Sequence, residues 1–444
     1  MKFLLIFLFF LIGFSKSLLN GLKNNFPKIS GFYGLIGPNV DRKKINSFFD
    51  LFIGDGIIHG VFIENGNIIP VKHLIETEKI LYEKKNHKLS KNFMMMPFYI
   101  ILNKLNLMPN VMGLSNTAFL DNKIPIYQDK KYVLTTCEMD KPYMVELDFI
   151  NKSIKTLFKV NTSIEHFSAH SKYDIVKKKI HSIDYNPFMN KITYYELDNT
   201  CNNILQKNEI NTLYSPNIHD FIIFEDKLIF SVPPLIWNFF KKIPLIFYKE
   251  KKTYMTIYDL KTKNTQKYDY NGDSFFVFHY ADIKKNIKNN NILEIYAPLY
   301  DSFSFSSLDI DGKYRKILLN TDKKEITIQK NDELEKMNLD FPLKWKEYVL
   351  LLKFNNKLIQ ELVLCKDLSI EKIIKLPKDR FLCGEPSIVE YNFVPYVIGI
   401  LFDSYNNGYF FSFKMFDIDN SFVEEKLDYK PTIGFHSVFT RKNI

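Results

Sequence analysis

Residues 252 to 282 read KTYMTIYDLKTKNTQKYDYNGDSFFVFHYAD. The stretch begins with a strand-like run, Lys252–Asp259, in which β-branched and aromatic residues recur. It turns at Asn271-Gly272-Asp273 and ends in Phe278-His279-Tyr280-Ala281-Asp282, an isolated histidine beside apolar residues. A short strand, a polar turn and a lone histidine form the unit from which the rest of the chain is read.

Working outward, the same strand-and-turn pattern recurs from Gly31 to the end. Further runs are Gly60–Glu64, Tyr132–Thr136, Lys191–Leu197, Phe221–Phe230, Glu325–Gln329, Tyr348–Phe354 and Tyr396–Phe402. Turn material separates them at Glu64-Asn65-Gly66-Asn67, Asp309-Ile310-Asp311-Gly312 and Asn406-Asn407-Gly408. Many short strands at even spacing indicate an all-β sandwich, barrel or propeller. No Pro/Ser/Gly linker divides the chain, so residues 18–444 read as one domain. No fixed-period motif such as a terminal Trp-Asp is present, and period alone does not select the propeller.

Composition agrees with a packed β protein. The 444 residues are 46% hydrophobic and 16% aromatic, with 41 Phe and 26 Tyr, which excludes a disordered chain. The formal net charge is +10, but lysines are interspersed with acidic residues apart from short runs such as Lys177–Lys179. Without a basic stripe, nucleic-acid binding is excluded, and an anionic membrane surface fits the charge better. Four scattered cysteines (Cys137, Cys201, Cys365, Cys383) show no CxxC and read as buried free thiols.

The N-terminus has the pattern of a secretory signal peptide over residues 1–17: a charged start, an apolar run from Phe3 to Phe14, then Ser15-Lys16-Ser17. That places the mature chain in the secretory route, at the ER membrane or secreted, or in a plastid reached through such a signal. Two stretches break the β pattern. Lys91 to Met112 reads as an apolar helix-turn segment. Ser231 to Tyr248 is apolar, aromatic and interrupted by prolines, and is followed by Lys249-Glu250-Lys251-Lys252. Both are read as core or as surfaces that dip into lipid, with Leu235, Trp237, Phe239 and Phe240 forming the apolar patch of the second.

Of nine histidines, four stand in distinctive contexts: Phe167-Ser168-Ala169-His170-Ser171-Lys172, Ile218-His219-Asp220-Phe221, the His279 stretch quoted above, and Gly434-Phe435-His436-Ser437-Val438-Phe439. Singly, each fits a structural role better than a ligand role. The intervals are about 49, 60 and 157 residues, the last near three steps of 52, and a propeller blade takes about 40–50. Radial repetition at that step would bring all four to one axis.

These residues resemble the carotenoid cleavage oxygenase family, which includes the retinal pigment epithelial membrane protein. The resemblance runs from about Gly31 to Phe439. It begins with Gly37-Pro38-Asn39 and the glycine-rich Gly54-Asp55-Gly56-Ile57-Ile58-His59-Gly60, whose His59 is not among the family's ligands. It continues through Thr77 and Asn116-Thr117-Ala118 to the four histidines in order. The resemblance implies a seven-bladed β-propeller with a helical or loop cap, and Fe(2+) held by His170, His219, His279 and His436. It also implies carboxylates behind the ligands: Glu138, Asp340 (where the family has Glu) and Glu385. The implied reaction is cleavage of a C=C bond in a carotenoid or apocarotenoid by O₂, with retinal one candidate product. Imidazole suits iron, and a ligating histidine donates its other ring N–H to a carboxylate. The position of Ser231 to Lys252 resembles the family's membrane-facing patch. Asp340, Asp282 and Tyr396-Val397-Ile398-Gly399 depart from the family pattern. A stilbene-cleaving enzyme and a non-catalytic carotenoid or retinoid binder are the alternative readings.

Overall fold

The computed structural model describes residues 26–90, 95–121, 129–138, 140–186, 189–237, 245–355 and 357–442. Antiparallel strands follow one another in hairpins and group into seven four- or five-stranded blades around an axis, with one extra two-stranded ribbon. The propeller expected from the resemblance is therefore present.

Strand composition follows radial position. Middle strands are covered on both faces by neighbouring blades and carry long apolar runs, as in Gly56–Glu64, where only His59 and the terminal Glu64 interrupt, and over Val349–Leu352 within Tyr348–Asn355. Outer strands alternate between buried and exposed, as in Ile204–Asn211 and Ser369–Lys375, so only they show the period of two. The core is a set of wedges between blades. Phe32, Phe62 and Val145 fill the first, and Ile229, Met255 and Ile295 fill the one between the fourth and fifth blades. All four cysteines are buried.

The ring closes by pairing the first and last of the described strands. The first blade has the order Asn67–Leu74, Gly56–Glu64, Gly31–Pro38 and Ser437–Arg441, the last strand lying antiparallel to the first. Leading into that strand, residues 433–436 cross tightly over Gly37. Phe435 N–H donates to Ile36 O at 2.7 Å and Ile36 N–H to His436 O at 3.0 Å. A Cβ on Gly37 would lie 2.4 Å from Ile433 O and 2.6 Å from Gly434 Cα. Gly37→Ala is accordingly expected to destabilise the fold by about 1–3 kcal/mol through overpacking. It should also displace His436, read as a Tm lowered by a few degrees together with weakened metal binding.

The run read as one strand over Phe221–Phe230 is a hairpin, Ile222–Phe224 and Lys227–Val232. Its turn residues Glu225 and Asp226 have φ of 46° and 58°, a two-residue reversal made without glycine. Within Lys91 to Met112, the helix Met96–Lys104 is present and residues 91–94 lie outside the described residues. The second helical element of note, Phe48–Phe52, packs with Phe278 and Phe303 over the axis. Of the apolar patch, Phe239 and Phe240 lie outside the described residues, as does the segment 1–17. Trp237 ends the short strand Leu235–Trp237. Leu235 is 1% exposed and packs with Phe276 and Tyr300, so it supports the stretch from inside rather than facing outward.

Candidate metal centre

The innermost strands begin beside the axis, and the residues just before or at their starts supply the site. His170 precedes Lys172–Asp174, His219 precedes Ile222–Phe224, His279 precedes Asp282–Lys285 and His436 precedes Ser437–Arg441. Asp340 and Glu385 hold the corresponding places in the sixth and seventh blades. This explains the long third interval, because two blades that contribute carboxylates lie between His279 and His436.

One ring nitrogen from each histidine lies within 4.8 Å of every other. His170 Nε2 and His219 Nε2 are 2.9 Å apart. Two nitrogens held at right angles about 2.1 Å from one ion would be about 3.0 Å apart. His279 Nε2 is buried without a hydrogen-bond partner, an arrangement that costs free energy unless a ligand fills it. The convergent imidazoles thus fit a transition-metal ion.

Carboxylates orient three of the rings from behind. His219 Nδ1 bonds to Glu138 Oε1. His279 Nδ1 bonds to Asp340 Oδ1 at 2.8 Å, and His436 Nδ1 lies 3.4 Å from Glu385 Oε2. Asp340 is itself fixed by the Tyr300 hydroxyl on Oδ2 and by Phe341 N–H at 2.7 Å. Glu385 accepts from Ser437 N–H at 2.8 Å. Among the described residues His170 has no carboxylate partner. Burial and the three neighbouring imidazoles hold it well below the usual histidine range, hence neutral and ready to donate its lone pair. For His279, burial pulls downward, but the charge and hydrogen bond of Asp340 outweigh it and raise the pKa.

The site opens onto a cavity of about 940 Å³ whose walls include His219, His279 and His436 together with Phe278, Phe341 and Phe435. That volume suits a long small-molecule ligand. Phe341 has φ +53°, a left-handed conformation that bulky residues rarely adopt. Its ring lies 4.9 Å from that of His279 and 5.2 Å from that of His436, so a strained backbone holds an aromatic face against two of the ligands. Sequence reading named the histidines and carboxylates. It missed Tyr300 and Phe341, which no local motif marks beyond the position of Phe341 after Asp340.

Comparison with known proteins agrees with this geometry. The family described as retinal pigment epithelial membrane protein matches residues 27–386. A chloroplastic 9-cis-epoxycarotenoid dioxygenase of Oryza sativa subsp. japonica is 28% identical over 232 residues, 47% of this chain and 39% of that protein. A carotenoid 9,10(9',10')-cleavage dioxygenase of Arabidopsis thaliana is 27% identical over 238 residues, 50% of this chain and 42% of that one. The match thus spans about two fifths of the length of these curated relatives. Among solved structures, the lignostilbene dioxygenase of Pseudomonas brassicacearum has a TM-score of 0.75 at 14% identity, covering 95% of this chain and 94% of that one. A variant of Synechocystis apocarotenoid oxygenase has a TM-score of 0.73 at 15% identity, with 94% of each chain covered. These structures share the fold, and the sequence match over most of the propeller settles the relationship: the chain belongs to the retinal pigment epithelial membrane protein family.

Proposed function

We propose that the protein is a non-haem iron(II) dioxygenase that cleaves a C=C bond of a carotenoid or apocarotenoid, placing one oxygen atom of O₂ on each carbon to give two carbonyl products. The observation that carries this reading is the cluster of four imidazoles opening onto a cavity of about 940 Å³ with aromatic walls. The rice and Arabidopsis relatives, named for carotenoid dioxygenation and cleavage, support the substrate class. Iron bound by His170, His219, His279 and His436 would supply activation of dioxygen. The chain's own residues do the positioning. Glu138, Asp340 and Glu385 fix the ring orientations. Phe278, Phe341 and Phe435 line the cavity, present apolar faces to a polyene and exclude bulk water from the reacting bond. Asp340 reaches His279 at ordinary hydrogen-bond distance, which removes the main sequence argument for a non-catalytic binder. The deciding experiment loads the purified protein anaerobically with Fe(II) and offers a carotenoid and apocarotenoid panel in air. Paired carbonyl products by mass support the reading. Intact substrates, or no retained iron, sink it.

We also infer peripheral contact with a lipid surface. Phe98, Ile101 and Leu105, on or next to the helix Met96–Lys104, are 53%, 56% and 61% exposed. Exposed apolar residues on a short helix with lysine at its end suit the interfacial region. Among the described residues no helix is long and apolar enough to cross a membrane. Ile101→Asp with Leu105→Asp is expected to lower cosedimentation with anionic liposomes severalfold, while iron content stays at the wild-type level. Unchanged cosedimentation would remove the inference. We further propose that residues 1–17 act as a leader to the secretory or plastid route, for which a mature N-terminus near Leu18 would be the supporting observation.

A further inference from the structure

We propose that Arg42 reads a carboxylate at one end of the substrate, so that the preferred polyene is an apocarotenoid already oxidised to an acid. The inference rests on the cavity being the substrate site, as proposed above.

Arg42 lines the same cavity as the histidines. Of its guanidinium atoms, Nη2 donates to Thr432 O at 2.9 Å and to Cys383 Sγ at 3.1 Å, and Nη1 lies 3.5 Å from Asn406 Oδ1. The guanidinium carbon sits 3.4 Å above the Phe402 ring. Nε is buried with no hydrogen-bond partner. Among the described residues no carboxylate comes within 4 Å of Arg42. The contrast with two other arginines is sharp. Arg315 is clamped by Asp301 and Glu335, and Arg380 by Glu424. Arg42 alone of these three lacks its anion, and it is the one that faces the cavity.

The surroundings hold Arg42 in place without neutralising it. His59 Nε2 accepts from Thr432 N–H at 3.1 Å and lies 2.9 Å from Thr432 Oγ1. Burial, with Lys72 and Arg42 adding repulsion, pushes the His59 pKa down to about 3, so its ring is neutral. His59, the non-ligand histidine of the glycine-rich stretch, is thereby a positioning residue for Thr432 and, through it, for Arg42. Lys43, Lys357 and Lys430 also line the cavity and have no carboxylate within 4 Å among the described residues. The carboxylates at that end are already engaged: Asp379 by Ser404, and Asp403 by Tyr405 N–H, Asn407 and Tyr409. Nη1, whose one contact is the long 3.5 Å approach to Asn406 Oδ1, is the edge of the guanidinium left for an acid end group, which it would meet in a charge-assisted bond beside Lys43, Lys357 and Lys430. A hydrocarbon end would leave that edge and its charge without an acceptor, and a site built around a donor discriminates against such a ligand.

The test uses all-trans-retinoic acid and all-trans-retinal, equal in chain length, titrated into the metal-free full-length protein and followed by quenching of its intrinsic fluorescence. Wild type should bind the acid about tenfold or more tighter than the aldehyde. Arg42→Met should lose that preference, chiefly through weaker binding of the acid, and Arg42→Lys should keep part of it. The wild-type ratio needs no variant, so a poorly folding Arg42→Met leaves the proposal open to refutation. Equal affinity for acid and aldehyde in the wild type, or a preference that survives Arg42→Met, overturns it. If iron-loaded wild type cleaves neutral carotenoids while showing no acid preference, only this inference falls. If neither probe binds and no carotenoid is cleaved, the assignment of the cavity falls with it.

Discussion

Replacing His219 by alanine is expected to leave a folded protein without its metal. The His219 ring is buried, meets His170 across 2.9 Å and is oriented from behind by Glu138. Removing only an outer partner of a metal ligand costs about 10–100-fold in affinity. Removing the ligand itself should exceed the upper end of that range. Iron per purified chain should fall from about one to near zero, and cleavage should fall to background. Folding should survive, because Glu138, left without its partner, keeps partial access to water. Iron analysis beside far-UV circular dichroism separates the two effects. Wild-type iron in the variant would mean that the cluster is a packing motif.

Asp340→Ala should have the second largest effect, although Asp340 touches no metal. Its two oxygens serve His279 and Tyr300 in a site where Asp340 is 2% exposed. Alanine leaves the His279 Nδ1–H and the Tyr300 hydroxyl buried without an acceptor, at about 1–3 kcal/mol each. Iron affinity should drop about 10–100-fold as the His279 ring loses its anchor. Asp340→Glu is the control. The aspartate already spans the gap at 2.8 Å, so an added methylene has nothing to bridge, and occupancy should stay at the wild-type level. Equal iron affinity in wild type and Asp340→Ala would rule out the positioning role.

Much of this was legible in the sequence, for identifiable reasons. Gly60–Glu64, Glu325–Gln329 and Tyr348–Phe354 lie within or match observed strands, because alternation or continuous apolar content survives on strands held between blades. The Asn65-Gly66 turn was legible because φ of 51° and 84° there selects those residue types. Other reversals were not. Lys152, Lys263 and Lys346 adopt positive φ with side chains that carry no turn signal, and Glu225 does the same in the hairpin read as one strand, where Asp226 alone was too weak a mark. The four histidines that cluster, and the carboxylates that contact three of them, stand in ordered motifs that the sequence displays. Tyr300, Phe341 and Arg42 enter the site through contacts between distant blades, where nothing local marks them. The burial of Leu235 was hidden for the same reason: an apolar residue reads alike whether it faces lipid or its own core.

The seam between the first and last described strands also sets a timetable for the protein's birth. Six blades can be assembled while synthesis continues, but the strand Gly31–Pro38 must wait with an open edge for Ser437–Arg441, made after all the other described strands. His436 stands directly before that strand, so the fourth imidazole is made after the other three and after every other described strand. A nascent chain stalled before this point would carry three of the four histidines and an unpaired edge, a species prone to association and unable to hold its metal firmly. The four-histidine cluster thus forms only after the seventh blade has been made, as one of the last events of folding rather than one of the first.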